Sequence, residues 1–309
     1  MVPNNPDDPI IETRGLAKHF GDVRAVDGID LTIGRGEIYG FLGRNGAGKT
    51  TTIRMLLGLI RPTAGQVAIL GTPIQPGQQS IFARVGFLVE TATAYPNLTV
   101  TENLDIQRRL TSAPGGAVAE IITQLGLGQY QDRRAGTLSL GNKQRLSLAR
   151  AMIHKPDLLI LDEPANGLDP AGIVEIRLLL RHLADDNGVT VFVSSHILPE
   201  VANLVDRIGI VHAGKLVEEM PIADLHAKSR SFLEIVVSDP DRAAALLGDR
   251  LGMETIERHP NGALRLFDGL DRTPEIAKVL VDAGLDLSRL ATDEEDLEAY
   301  FLKLTEGAY

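Results

Sequence analysis

Gly40-Phe41-Leu42-Gly43-Arg44-Asn45-Gly46-Ala47-Gly48-Lys49-Thr50-Thr51 is the stretch that decides the fold. Gly43, Gly48, Lys49 and Thr50 satisfy G-x-x-x-x-G-K-[ST], the phosphate-binding loop. Glycines let backbone N–H groups converge on phosphate oxygens, and the helix that follows points its positive end at them. Lys49 adds a mobile charge for the β/γ-phosphates of a nucleotide, and the Thr50 hydroxyl is placed to ligate Mg²⁺. Glu37 to Leu42 reads as a buried strand and Thr51 to Leu59 as a helix, the flanks that this loop requires.

The totals bound the rest. A chain of 309 residues holds one large domain, or a domain plus a smaller one. Apolar content of 44% suffices for a core, and a net charge of −10 without a block of like charge argues against a nucleic-acid partner. The absence of cysteine excludes disulfides, thiolate metal sites and thiol catalysis. Residues 1–9 are polar and read as a disordered tail without a signal peptide. No apolar run reaches the roughly 18 residues that cross a bilayer, so a cytoplasmic protein is expected, its membrane work left to another polypeptide.

Working outward, Ile10 to Ile33 reads as an antiparallel pair or two edge strands, and Gln66 to Leu70 and Val85 to Val89 as further strands. Thr99-Val100-Thr101-Glu102 is a capping box opening a helix to about Leu110, and Ala117 to Leu125 is a second helix. Residues of about 91–155 therefore form a mostly helical insertion in an α/β domain. A further helix starts near Thr137 to Asn142; Ser139 there suits a helix cap, an anion contact, or both.

Leu158-Leu159-Ile160-Leu161-Asp162-Glu163 is an apolar strand ending in two carboxylates, 113 residues after Lys49. A buried strand seldom ends this way without a cation or a proton-transfer task. The pair suggests Asp162 near Mg²⁺ and Glu163 beside an attacking water. Of seven histidines, His196 alone follows a strand (Thr190 to Ser194) at the end where parallel sheets present ligands. Phe20 is either a ring that stacks on a base or an ordinary half-buried strand residue.

Ile208 to His212 and Lys215 to Glu218 form a hairpin that closes the domain. Beyond a connector at about 221–230, strands at 232–237, 254–258, 263–267 and 286–291 alternate with helices at 241–247, 274–283 and 293–304. This order suggests a small ferredoxin-like α+β module at 231–309, an accessory or regulatory domain without a chemical constellation.

Together, residues 10–220 resemble the ATP-binding subunit of an ABC transporter. The resemblance implies a P-loop NTPase α/β fold: a RecA-like core, an antiparallel β subdomain and the helical insertion. Gly43 to Thr51 is similar to Walker A, and Leu158 to Glu163 to Walker B with its catalytic glutamate. Leu138-Ser139-Leu140-Gly141-Asn142 stands where the family has its LSGGQ signature. Asn166-Gly167-Leu168-Asp169 resembles the D-loop, His196 the switch histidine and Phe20 the A-loop aromatic. The implied nucleotide contacts are Phe20, Val26, Gly43, Arg44, Asn45, Gly46, Ala47, Gly48, Lys49, Thr50, Thr51, Glu90, Ser139, Gly141, Asn142 and Asp169. ATP and Mg²⁺ are the implied cofactors, with Thr50, Glu90 and Asp162 as metal contacts and Glu163, His196 and Lys49 as the catalytic set.

Two departures narrow the resemblance. Glu90 stands for the Q-loop glutamine, and Leu140 and Asn142 replace a glycine and the glutamine of the signature. Both variants, and the tail Asp296 to Thr305, resemble ATPases that serve exporters of bacitracin, lantibiotics and other antibiotics. The implied partners are a separate membrane permease and a second ATPase subunit docked head to tail, at the inner face of the membrane. The implied cargo is a drug, antibiotic peptide or lipid. Alternatives are sodium efflux, or a non-transport ATPase acting on the ribosome or DNA.

Overall fold

The computed structural model describes residues 8–75, 80–89, 94–228, 231–253, 255–259 and 261–294, with Phe301 and Leu304. It divides the chain into two units, Met1–Ile222 and Ala223–Gly307.

In the first unit, β1 (Ile11–Phe20) and β2 (Val23–Ile33) form an antiparallel pair joined across Gly21-Asp22. After β3 (Ile38–Leu42) and α1 (Lys49–Leu56), the chain returns to the other edge of β1 as β4 (Ala64–Ile69), followed by the short β5 (Thr72–Pro73). These strands make one sheet in the order β2-β1-β4-β5.

The second sheet is built on β3 and carries the chemistry. Its other strands are β6 (Val85–Leu88), β7 (Leu158–Asp162), β8 (Thr190–Ser195), β9 (Arg207–His212) and β10 (Lys215–Pro221). The order is β10-β9-β3-β8-β7-β6, all parallel except the β9–β10 hairpin. Every residue of β3, β7 and β8 is buried, the unbroken apolar pattern of a parallel sheet covered on both faces.

Between β6 and β7 lie α2 (Val100–Leu110), α3 (Ala117–Gln124) and α4 (Leu140–Met152). α2 starts at the expected capping box: the Thr99 hydroxyl accepts from Glu102 N–H, and the Glu102 carboxylate accepts from Thr99 N–H at 2.7 Å. α5 (Pro170–Asn187) and α6 (Leu198–Ala202) flank β8. One core runs through both sheets: Ile11, Leu31 and Ile33 share it with Ile53 and Leu56 of α1 and with Phe41, Ile160 and Phe192. Each such fully buried side chain contributes roughly 1.5–3 kcal/mol. The core therefore clamps α1 from both sides and holds the loop before it.

The stretch expected as a connector contains a helix, α7 (Ile222–Lys228). The second unit then follows as β11 (Ser231–Val237), α8 (Pro240–Leu251), β12 (Ile256–Arg258), β13 (Leu264–Leu266), α9 (Thr273–Asp282) and β14 (Leu287–Glu294). Its sheet order is β12-β13-β11-β14, antiparallel throughout, which is the ferredoxin-like arrangement. Leu233, Ile235, Leu264 and Leu266 pack on Ala243 and Leu247 of α8 and on Ile276 and Leu280 of α9. One expectation is corrected. Asp293, read as the start of a last helix, belongs to β14, where it pairs with Phe232. Pairing along β11 outweighs the helix-start signal at 292–293. Residues 295–300, within that expected helix, lie outside the described residues.

Candidate active site

In the parallel sheet Leu42 sits beside Ser195, and Asp162 beside Ser194. Strand order β3-β8-β7 thus brings three carboxyl ends to one edge: the loop after β3, His196 after β8, and Asp162-Glu163 at the end of β7. Groups more than a hundred residues apart in the chain meet there.

Gly48 precedes α1 with φ 108°, a backbone that an L side chain rarely adopts, so glycine is required. Its turn exposes Arg44, Asn45 and Gly46 at the loop tip while Gly43, Ala47, Gly48 and Lys49 stay buried and Thr50 and Thr51 are half-buried. Lys49 is only 6% exposed. Its ammonium donates to the carbonyl oxygens of Gly43 at 2.6 Å and Arg44 at 3.4 Å, and lies 3.4 Å from Glu163 Oε1. Glu163 Oε2 is 2.8 Å from His196 Nδ1. Lysine, glutamate and histidine therefore form one chain of polar contacts, with His196 at its exposed end.

Asp162 is buried and fully engaged by hydroxyls. Thr50 Oγ1 donates to its Oδ2 at 2.8 Å, and Ser194 Oγ donates to its Oδ1 at 2.5 Å. One carboxylate and one hydroxyl, both hard oxygen donors held together, fit Mg²⁺, which takes its other ligands from phosphate and water. Among the described residues no cluster of three or more histidine, aspartate or glutamate side chains could hold a metal by itself. Glu90, expected as a third contact, lies outside the described residues.

Glu163 itself has φ 51°, in the left-handed region. That conformation costs a non-glycine residue about 1–3 kcal/mol and persists only where neighbours over-determine it. Its N–H is held by the Ser194 carbonyl and by Ser194 Oγ, each at 3.2 Å. A cavity of about 180 Å³ opens beside it, lined among others by Leu168, Arg177, His196 and Glu200. Burial raises the Glu200 carboxyl above the usual carboxylate range; the nearby Glu163 adds to that and His196 opposes it.

The remaining expected contacts separate. Phe20, 53% exposed, ends β1, with Lys18 Nζ 5.0 Å from its ring centroid. Val26, also expected as a contact, is fully buried and packs under Gly48. Ser139, Gly141 and Asn142 lie at the start of α4, where Ser139 Oγ accepts from Asn142 N–H at 3.4 Å. Asp169 caps α5, its Oδ1 accepting from Gly172 N–H at 2.9 Å. Sequence reading missed Ser194, Glu200 and Gln144. None carried a local signal; Gln144 lies on the buried side of α4 with Ser147 and Leu148.

A family model described as ABC transporter matches residues 26–166. The bacitracin transport ATP-binding protein of Bacillus licheniformis is 44% identical over 96% of this chain and 98% of its own length. The daunorubicin/doxorubicin resistance ATP-binding protein of Streptomyces peucetius is 34% identical, over 96% and 92%. Among solved structures, an ATP-binding subunit of an ABC transporter aligns with TM-score 0.65 at 25% identity, over 71% of this chain and 92% of that one. A dimeric ATP-binding cassette in a post-hydrolysis state with ADP and Pi aligns with TM-score 0.64 at 24% identity, over 69% and 98%, a likeness of fold.

Proposed function

Because the chain belongs to the ATP-binding proteins of ABC transporters, ATPases that dimerise and work with a separate membrane permease, we propose a specific division of labour among its residues. Lys49 and the loop N–H groups grip the β- and γ-phosphates of ATP. The Lys49 ammonium contacts two carbonyls and Glu163. Phosphate oxygens compete for the same donors and release Glu163 toward water. Thr50 and Asp162 hold Mg²⁺, which when bound neutralises phosphate charge. Glu163 orients and deprotonates the attacking water, and His196, bonded to the same carboxylate, fixes its direction and reaches the γ-phosphate. Phe20 offers its open ring to the adenine.

The observation that carries this reading is the meeting of Lys49, Thr50, Asp162, Glu163 and His196 at one edge of one sheet. Glu163→Gln tests it. The variant is expected to bind ATP, to lose about 10²–10⁴-fold in kcat, and to run as an ATP-dependent dimer on gel filtration. Normal turnover would remove the base assignment.

Ser139 and Gly141 then complete the site of a second subunit bound head to tail. The permease is proposed to be a drug or antibiotic exporter, with this chain at its cytoplasmic face, by analogy with the bacitracin and daunorubicin/doxorubicin relatives. Among the described residues no helix is long and apolar enough to cross a membrane, consistent with a permease on another chain. Co-expression with the permease should raise resistance to such compounds. Unchanged resistance across them would redirect the search to lipid or ion cargo.

A further inference from the structure

The start of α4 is tied to the stretch that follows Glu163. Gln144, 8% exposed, points its amide nitrogen at the Pro164 carbonyl, 2.9 Å away, and at the Glu163 carbonyl, 3.4 Å away. Two carbonyl oxygens accept and cannot donate, so only the NH₂ end of the side chain fits there. One turn earlier, Leu140 lies on Gly167 so closely that a Cβ on that glycine would come 2.3 Å from Leu140 Cδ2. Beside them Arg145 pairs with Glu175 of α5 at 2.5 Å. The signature segment therefore meets the Glu163–Leu168 stretch at several points, and Gln144 alone among these contacts touches the peptide of Glu163.

That peptide has little else to hold it on its carbonyl side. The N–H of Glu163, in the preceding peptide, is fixed by Ser194; the Glu163 carbonyl is met by Asn166 N–H at 3.1 Å and by Gln144. The φ of 51° at Glu163 must be sustained by such contacts, and it sets where the carboxylate points. A shift of α4 would thus act directly on the orientation of Glu163.

We propose that Gln144 is a positioning residue that couples the signature helix to the catalytic glutamate. It transmits the seating of Ser139 and Gly141 on a partner's nucleotide to the carboxylate that serves this chain's own ATP. The inference rests on the proposed roles of Glu163 and of the signature residues. It deepens them by naming the connection between the two sites.

Gln144→Met keeps the volume and removes the donor. ATP affinity and KM should stay within about twofold of wild type while kcat falls by about 10- to 10²-fold, the cost of a misplaced reacting group. Gln144→Glu supplies a readout that a merely structural role would not move. A carboxyl facing two carbonyls can donate only when protonated, and that environment raises its pKa. The ratio of variant to wild-type kcat should therefore climb as the pH is lowered from about 8 to about 6.

Wild-type kcat in Gln144→Met, or a pH-independent ratio for Gln144→Glu, overturns the proposal. Failure of both variants to fold assigns the amide to stability and overturns it equally. A wild-type protein without ATPase activity, or a Glu163→Gln variant with normal turnover, would instead sink the reading beneath it.

Discussion

The two units treat their polar groups in opposite ways. Among the described residues every buried polar or charged side chain belongs to the first unit, including Lys49, Thr52, Gln144, Asp162, Ser194 and Ser195. The second unit buries apolar side chains such as Leu233, Leu247 and Leu280, and pairs such as Arg272–Glu275 and Arg289–Asp293 lie largely exposed. Burying a polar group costs free energy unless it is partnered, whereas an exposed ion pair contributes little. The first unit accepts part of that cost at the candidate site, in Lys49, Asp162 and Ser194. Among its described residues the second unit shows an apolar core packed between its sheet and its helices α8 and α9.

Lys49→Ala should give the largest effect and the sharpest test of this contrast. Removing the buried ammonium is expected to weaken ATP binding by about 10²-fold or more, measured by titration calorimetry. Unchanged affinity would mean that the buried charges of the first unit do not serve phosphate. Leu247→Ala probes the other side. Truncating this fully buried leucine should destabilise the protein by about 2–5 kcal/mol in denaturant unfolding, with kcat of the folded protein unchanged. A loss of turnover in proportion would break the division between the units.

Glu200→Gln refines the contrast within the site. The folded Glu200 carboxyl binds its proton more tightly than the unfolded one, mainly because it is desolvated. Its contribution to stability is therefore lost as pH rises from the ordinary carboxylate pKa through the raised folded value. The amide carries no such dependence. The variant should gain in melting temperature over wild type near pH 7, and that gain should disappear near pH 4; a gain constant with pH would refute the assignment. Arg258→Ala should do least. Its partner Asp241 is 83% exposed, so removing the pair should leave the melting temperature unchanged, and a clear drop would show hidden structure around the pair.

Much of this was legible along the chain because the relevant signals are local. The glycine at 48 answers a backbone need, the Thr99–Glu102 box satisfies helix-end donors, and the apolar runs of β3, β7 and β8 announce a doubly covered sheet. The burial of Val26 under Gly48 was not legible because exposure is not local: a valine in a strand is open or covered according to what packs above it. Asp293 misled because pairing along β11 overrode a helix-start pattern. Ser194 and Gln144 were passed over because a hydroxyl or amide inside a regular element acquires meaning only from the groups it meets.

The order of residues alone determined that a phosphate-binding-loop pattern follows one strand and that two acids end another, since both depend on spacing within a few residues. Strand order β3-β8-β7, the left-handed backbone of Glu163, and the contact of Gln144 with its carbonyl were decided by the tertiary structure. These are relations between segments far apart in the chain, set by how helices and sheets close around a common core. No local pattern specifies them.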